Sequence, residues 1–236
     1  MTQSLKDIQN KLKRLGNKEK AKIHQRFFKT GPGEYGEGDA FIGVPVPKLR
    51  KLAKEYYALP FQEIKLLLGS PIHEERLLSL FVLIQRYSMG DSAEKKRIYE
   101  LYLKNTKSIN NWDLVDCSAG HIVGAFLFDK GKKPLYDLAK SENLWERRIS
   151  IISTFFFIKR NQFSDTLKIG KILLSDIEDL IHKAVGWMLR EVGKRDMSVE
   201  ENFLKNHYKT MPRTMLRYAI EKFPESKRQR YLRGKI

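Results

Sequence analysis

The sequence holds one cysteine, Cys117, and no apolar run that approaches the thickness of a bilayer. A lone thiol excludes an internal disulfide, so packing alone must hold the chain together, and a reducing compartment is expected. The longest apolar stretch, 149–158, is interrupted by Ser and Thr and falls far short of the ~20 residues that span a membrane. The opening MTQSLKDIQNKLKRLG is polar and amphipathic, without the apolar centre of a signal peptide. A cytoplasmic protein with no membrane attachment is expected. The five histidines show neither HExxH nor another metal-ligand spacing, so no metal and no cofactor is predicted.

Acidic residues are the second shortage. Against 45 Lys and Arg stand only 28 Asp and Glu, which leaves a net charge of +17. Such a surplus attracts a polyanion, because each phosphate neutralised releases a condensed counterion. Solubility, or binding to acidic lipid, is the plainer use of the same charge, and charge alone does not choose between them. With 42% apolar residues the chain is an ordinary globular one, long enough for one large domain or a short repeat array.

Strand signals are scarce, and helical periodicity recurs instead. Leu5, Ile8, Leu12 and Leu15 keep the three-to-four spacing of an apolar stripe, as do Leu77, Leu80, Phe81 and Ile84. Phe155-Phe156-Phe157 continues the helical pattern of Ile149 and Ile152. Ser70-Pro71 reads as a helix start, with Glu74 and Glu75 in the early turns. Glycine and proline concentrate in one place, TGPGEYGEGDAFIGVPVP over 30–47, which predicts a long loop between helices. A phosphate cradle is disfavoured there, since no Lys-Ser/Thr ends it and Glu34, Glu37 and Asp39 would repel phosphate. A lid or shaped connector is the better reading.

Four segments echo one another: 73–86, 145–160, 181–195 and 212–223 each open basic, continue apolar and close basic. Arg76, Trp112, Arg148 and Lys183 fall at intervals of 36, 36 and 35 residues, with a shorter step of 30 to Arg213. A period of that size signals stacked helix pairs, each burying its apolar face on its neighbours. The expected fold is all-α: a curved superhelical stack of antiparallel HEAT-like helix pairs. It forms a single domain over 1–236 with the Gly/Pro-rich loop at 30–47.

Tryptophan is rare, and two of the three lie in polar company. Lys183, Arg190 and Lys194 share a helix face with Trp187. That suits contact with both phosphates and bases or sugars, although a core Trp with snorkelling cations fits equally well. In Asn110-Asn111-Trp112-Asp113-Leu114-Val115-Asp116, either Asn caps a helix and Asp113 occupies its first turn. Trp112 and Asp116 then project from one face. A nearby arginine is the plain explanation for Asp116, and Arg148 is placed to supply it. Cys117 and His121 share a face too, but no third group supports a nucleophile and base, so a buried Cys beside a helix His is expected.

Taken together, Trp112-Asp113-x-x-Asp116, Leu144-Trp145-x-x-Arg148 and Lys183-Ala184-x-Gly186-Trp187-x-Leu189-Arg190-Glu191 resemble the AlkD-type DNA glycosylases. These form the HEAT-like repeat family of alkylation-repair enzymes, and the likeness runs from about Arg26 to about Phe223. The resemblance implies hydrolysis of the glycosidic bond of cationic N-alkylpurines, such as 7-methylguanine and 3-methyladenine, in duplex DNA. It further implies that Trp112 and Trp187 pack against the lesion's deoxyribose, that Asp116 sits beside the anomeric carbon, and that Arg148 contacts a backbone phosphate. Lys183, Arg190 and Lys194 join Arg148 as DNA contacts, and a monomer acting on double-stranded DNA is expected.

Two features depart from that family. Its early aromatic, a Tyr, corresponds to Phe27, with Phe28 as the alternative, so the ring is kept and the hydroxyl lost. The Gly-rich loop is longer. Some relatives only bind bent or branched DNA, which is the alternative function. A solenoid holding an acidic peptide is a third reading from a different class.

Overall fold

The computed structural model describes residues 4–236. Among them no strand forms, and the one β-bridge joins Ala40 to Ile72. The described helices begin with α1 (Leu5–Leu15), α2 (Lys18–Phe27), α3 (Val46–Glu55), α4 (Phe61–Leu68), α5 (His73–Met89) and α6 (Ser92–Lys104). Next, α7 (Trp112–Ala119) runs through a π-helical turn at Gly120–Gly124 into α8 (Ala125–Leu127). Then come α9 (Lys133–Leu138), α10 (Leu144–Ser153), α11 (Phe155–Ile158), α12 (Ser164–Ile172), α13 (Asp179–Gly193), α14 (Met197–His207), α15 (Arg213–Ala219) and α16 (Glu225–Leu232). The chain is all-α and built of stacked helix pairs, as the periodicity implied. The helices group into two compact units that meet in sequence between Leu114 and Val115.

Local chemistry sets the helix starts. Asn17, Asp91, Asn143 and Asp196 each turn a side-chain oxygen onto first-turn N–H groups of α2, α6, α10 and α14. The stripe of α1 is buried at Ile8 and Leu12. The Phe155–Phe157 run is helical, as expected.

Two boundaries differ from the sequence reading. Val46 and Pro47 belong to α3, whose N-cap is Pro45. Helix α5 opens at His73 rather than at Pro71. Pro71 instead lends its carbonyl to the Ala40 N–H, and the His73 N–H returns a bond to Ala40. The loop therefore docks on the start of α5 through backbone groups, which holds Pro71 outside the helix.

In the first unit α5 is the axis. It packs against α3, α4 and α6, and it is buried on every side from His73 to Leu83. In the second unit α13 plays the same part, packed against α10, α14 and α15. Gly186 is what lets α15 come close. A Cβ there would collide with the Met215 carbonyl and sit 2.5 Å from Tyr218 Cβ. No side chain larger than hydrogen fits without moving a helix.

Gly186→Ala should therefore lower the unfolding free energy by about 1–3 kcal/mol through overpacking. Urea denaturation checks this, and an unchanged midpoint would mean that the two helices separate without cost.

Candidate functional site

Four consecutive ionisable residues open α5, and all four are buried: His73, Glu74, Glu75 and Arg76 are 1%, 2%, 3% and 4% exposed. Burying charge is costly unless each group is paired, and each one is. The Glu74 carboxylate accepts backbone N–H bonds from Ile42, Gly43 and Val44, the shortest at 2.7 Å from Gly43. Gly43 makes this possible with φ of 78°, its missing side chain leaving room for the Asn17 carbonyl. Gln9 donates to Glu75 at 3.1 Å. Arg76 donates to Asp39 at 2.6 Å and to the Ser70 carbonyl at 2.9 Å.

His73 is the centre of this cluster. Its Nδ1 lies 3.1 Å from an Asp39 oxygen and its Nε2 lies 2.8 Å from an Asp113 oxygen. Only the doubly protonated imidazolium can donate to both carboxylates at once. Burial works against that charge, but the bonds to Asp113 and Asp39 outweigh it and leave the His73 pKa above its ordinary value. Burial likewise works to raise Asp39, and the bonds from His73 and Arg76 overcome it, so its carboxyl falls below the usual carboxylate range.

The Gly-rich loop thus carries one acidic partner of the cluster and wraps its N–H groups around another. It holds an anion after all, and that anion is the Glu74 carboxylate of α5. Glu34 and Glu37 are used inside the loop, accepting from the Gly31 and Gly33 N–H groups. The loop is a shaped connector.

An aromatic stack rests on this base. Phe41 stacks on His73 with centroids 4.6 Å apart, and Phe28 lies 5.0 Å from the same imidazole. Phe28 in turn stacks on Trp112 at 5.2 Å and 20°. Phe27 meets Trp112 edge-on at 5.8 Å and stays 61% exposed. Both candidates for the early aromatic therefore touch Trp112, Phe28 from below and Phe27 from the solvent side. Asn111 caps α7 with its side-chain oxygen 2.8 Å from the Trp112 N–H. Asp113 does occupy the first turn of α7, and its carboxylate also receives His73, a partner 40 residues away that no local signal announces.

Asp116 follows Trp112 by one turn on α7. Arg148 grips its carboxylate in a bidentate pair, Nε at 2.8 Å and Nη2 at 2.7 Å, and sends Nη1 to the Leu180 carbonyl. The guanidinium thereby ties α7, α10 and α13 together. Arg148, named from sequence as a phosphate contact, is 4% exposed and turned inward onto this pair. Asp116 keeps 17% of its side chain exposed.

Trp187 is half-buried on α13, with Phe155 at 5.8 Å and its indole N–H 3.2 Å from Glu191. Each of the cations expected around it has an acidic partner. Lys183 pairs with Asp179 at 2.7 Å, Lys194 with Glu191 at 2.6 Å, and Arg190 with Glu221. Glu191 is 7% exposed and serves both the tryptophan and Lys194.

The equally spaced set is not one structural position. Arg148 and Lys183 are the fifth residues of α10 and α13, whereas Trp112 is the first residue of α7. Asp116 is the residue of α7 that matches them. Cys117 is partly exposed rather than buried as expected, and His121 beside it on the π-helical turn is exposed. Among the described residues no group of three or more His, Cys, Asp or Glu is placed to hold a metal ion. No described helix is long and apolar enough to cross a membrane.

The model of a family described as DNA alkylation repair enzyme matches residues 8–223. A solved structure described as a predicted DNA alkylation repair enzyme from Enterococcus faecalis superposes with a TM-score of 0.69 at 19% identity, covering 89% of this chain and 97% of that one. AlkD2 from Streptococcus mutans superposes at 0.52 with 20% identity, covering 94% of this chain and 100% of its own. No curated protein matches the sequence significantly.

Loss of the His73 imidazolium removes a buried charge from between two carboxylates, and His73→Ala should cost about 3–5 kcal/mol of stability. A raised folded-state pKa means that the contribution of His73 is full below its unfolded value near 6.5. It is lost as pH rises through the folded value. The stability gap between wild type and His73→Gln should accordingly narrow on the alkaline side in urea melts. A gap that widens with pH would show that His73 is neutral.

Proposed function

The chain belongs to the DNA alkylation repair enzyme family, and on that premise we propose that it is a monofunctional DNA glycosylase for cationic N-alkylpurines of the 7-methylguanine and 3-methyladenine type in duplex DNA. The observation that carries the proposal is the Asp116 carboxylate, fixed by two bonds from Arg148 and set one helical turn from Trp112.

The chemistry asks little else of the protein. An alkylated purine already bears a positive charge and departs as a neutral base, so no general acid is needed. Positive charge grows on the deoxyribose as the bond breaks. A carboxylate held in place, together with the electron-rich faces of Trp112 and Trp187, stabilises that charge where it develops. Asp116 also orients or deprotonates the attacking water. Arg148 enters first as the positioning residue for Asp116, because its donors are already committed to that carboxylate and to the Leu180 carbonyl.

Lys183, Arg190, Lys194 and the exposed Phe27 are the proposed DNA contacts. Each of the three cations would exchange an internal carboxylate for a phosphate, so binding should weaken steeply with salt. In this reading the protein acts as a cytoplasmic monomer.

Release of 7-methylguanine from methylated duplex is the deciding measurement. Asp116→Asn should slow it by at least about 100-fold, the scale of losing one aligned electrostatic group, while duplex affinity is retained. Salt-sensitive duplex binding by the wild type with no base release would instead make the chain a binder of bent or branched DNA.

A further inference from the structure

The first unit carries a second concentration of charge that the proposed site does not use. Lys11 and Arg14 on α1 face Lys48 and Lys51 on α3 across a cleft of about 370 Å³, floored by Leu15 and Leu52. On each helix the two cations stand three residues apart and so share a face. Glu55 closes the lining and binds Lys11 at 2.8 Å, and Lys11 also lies 5.0 Å over the Tyr56 ring. Lys11 is therefore anchored within the protein.

Arg14, Lys48 and Lys51 are exposed and form no side-chain hydrogen bond or ion pair among the described residues, the Glu55 carboxylate acting on Lys51 only through its charge. This sets them apart from the cations around Trp187, all of which hold a carboxylate. Three cations without a bonded internal partner around one concave surface concentrate positive potential there.

We propose that this α1–α3 cleft is an accessory contact for the sugar-phosphate backbone of nucleic acid, separate from the residues assigned to base release. The chemistry favours a backbone over a single bound anion. A site built for one phosphate converges short, fixed donors such as backbone N–H groups, and here the donors sit on long, solvated side chains. Mobile cations on two walls read charge along a strand without reading sequence. The apolar floor accommodates sugar faces between phosphates. The inference rests on the duplex-DNA reading above and adds to it a footprint extending over α1 and α3.

The test uses the full chain carrying Arg14→Gln, Lys48→Gln and Lys51→Gln together. A charge-matched control carries Lys140→Gln, Lys168→Gln and Lys171→Gln, all exposed positions of the second unit. Affinity for an unmodified duplex is measured by fluorescence anisotropy across a salt series. Each phosphate that is no longer neutralised takes about 0.9 from the slope of log affinity against log salt, so the slope of the cleft variant should fall by roughly 2–3. The control should fall by less than half as much.

An unchanged slope in the cleft variant overturns the proposal, as does a control whose slope falls equally. Saturation of α1 and α3 amide signals by inorganic phosphate alone, with no response to duplex, would make the cleft a small-anion site and also overturn it. A wild type that binds no duplex at any salt defeats the DNA reading itself, which separates that failure from failure of the cleft. Matching thermal melts of the three proteins exclude misfolding as the cause of a shallower slope.

Discussion

The first unit depends on burying four ionisable residues in a row. His73, Glu74, Glu75 and Arg76 occupy the first turn of the helix on which α3, α4 and α6 pack, so none can reach solvent. Every neighbouring feature answers to their needs. The Gly-rich loop supplies N–H groups for Glu74 and the Asp39 carboxylate for His73 and Arg76. Helix α1 offers Gln9 to Glu75, and α7 offers Asp113 to His73. An unpaired charge at any of these places would cost several kcal/mol, about as much as an ordinary domain's whole margin of stability. The aromatic stack up to Trp112 is seated on this cluster, so the ring's orientation follows from an electrostatic requirement two layers below it.

The second unit repeats the principle with a single guanidinium. Arg148 joins three helices because its planar fork meets the Asp116 carboxylate edge-on and leaves a third donor for Leu180. A lysine in that position could not hold the carboxylate in one orientation. Around Trp187 the same economy applies, with Asp179, Glu191 and Glu221 taking up the cations of α13. The large surplus of basic residues is thus uneven in its availability. Near Trp187 it is internally neutralised, whereas Arg14 on α1 and Lys48 and Lys51 on α3 face solvent.

How far the sequence could be read depended on whether a property was local. The apolar stripes of α1 and α5, the Asn111 cap and the Asp113 first turn all follow from contacts within a few residues, and each was legible. The pairing of Arg148 with Asp116 was legible as the plain alternative, because both stood in matching repeats. His73 and Asp39 left no such trace. They are separated by 34 residues, and a charged first turn ordinarily faces solvent. The equal spacing that set Trp112 beside Arg148 was misleading for a related reason: the loops between helices vary in length, so a residue interval does not fix a helical position.

By itself the sequence determined the helical class and the stacking of helix pairs, and it set Trp112, Asp116, Arg148 and Trp187 in their order along the chain. Periodicity and short motifs encode these, since each is a relation among residues close in the chain. Only the tertiary structure decided which charges are buried and what neutralises them. It turned Arg148 inward onto Asp116, made the Gly-rich loop a cradle for Glu74, and left Arg14, Lys48 and Lys51 exposed. The physical reason is that the free energy of a charge depends on all that surrounds it, and most of what surrounds these charges comes from distant segments.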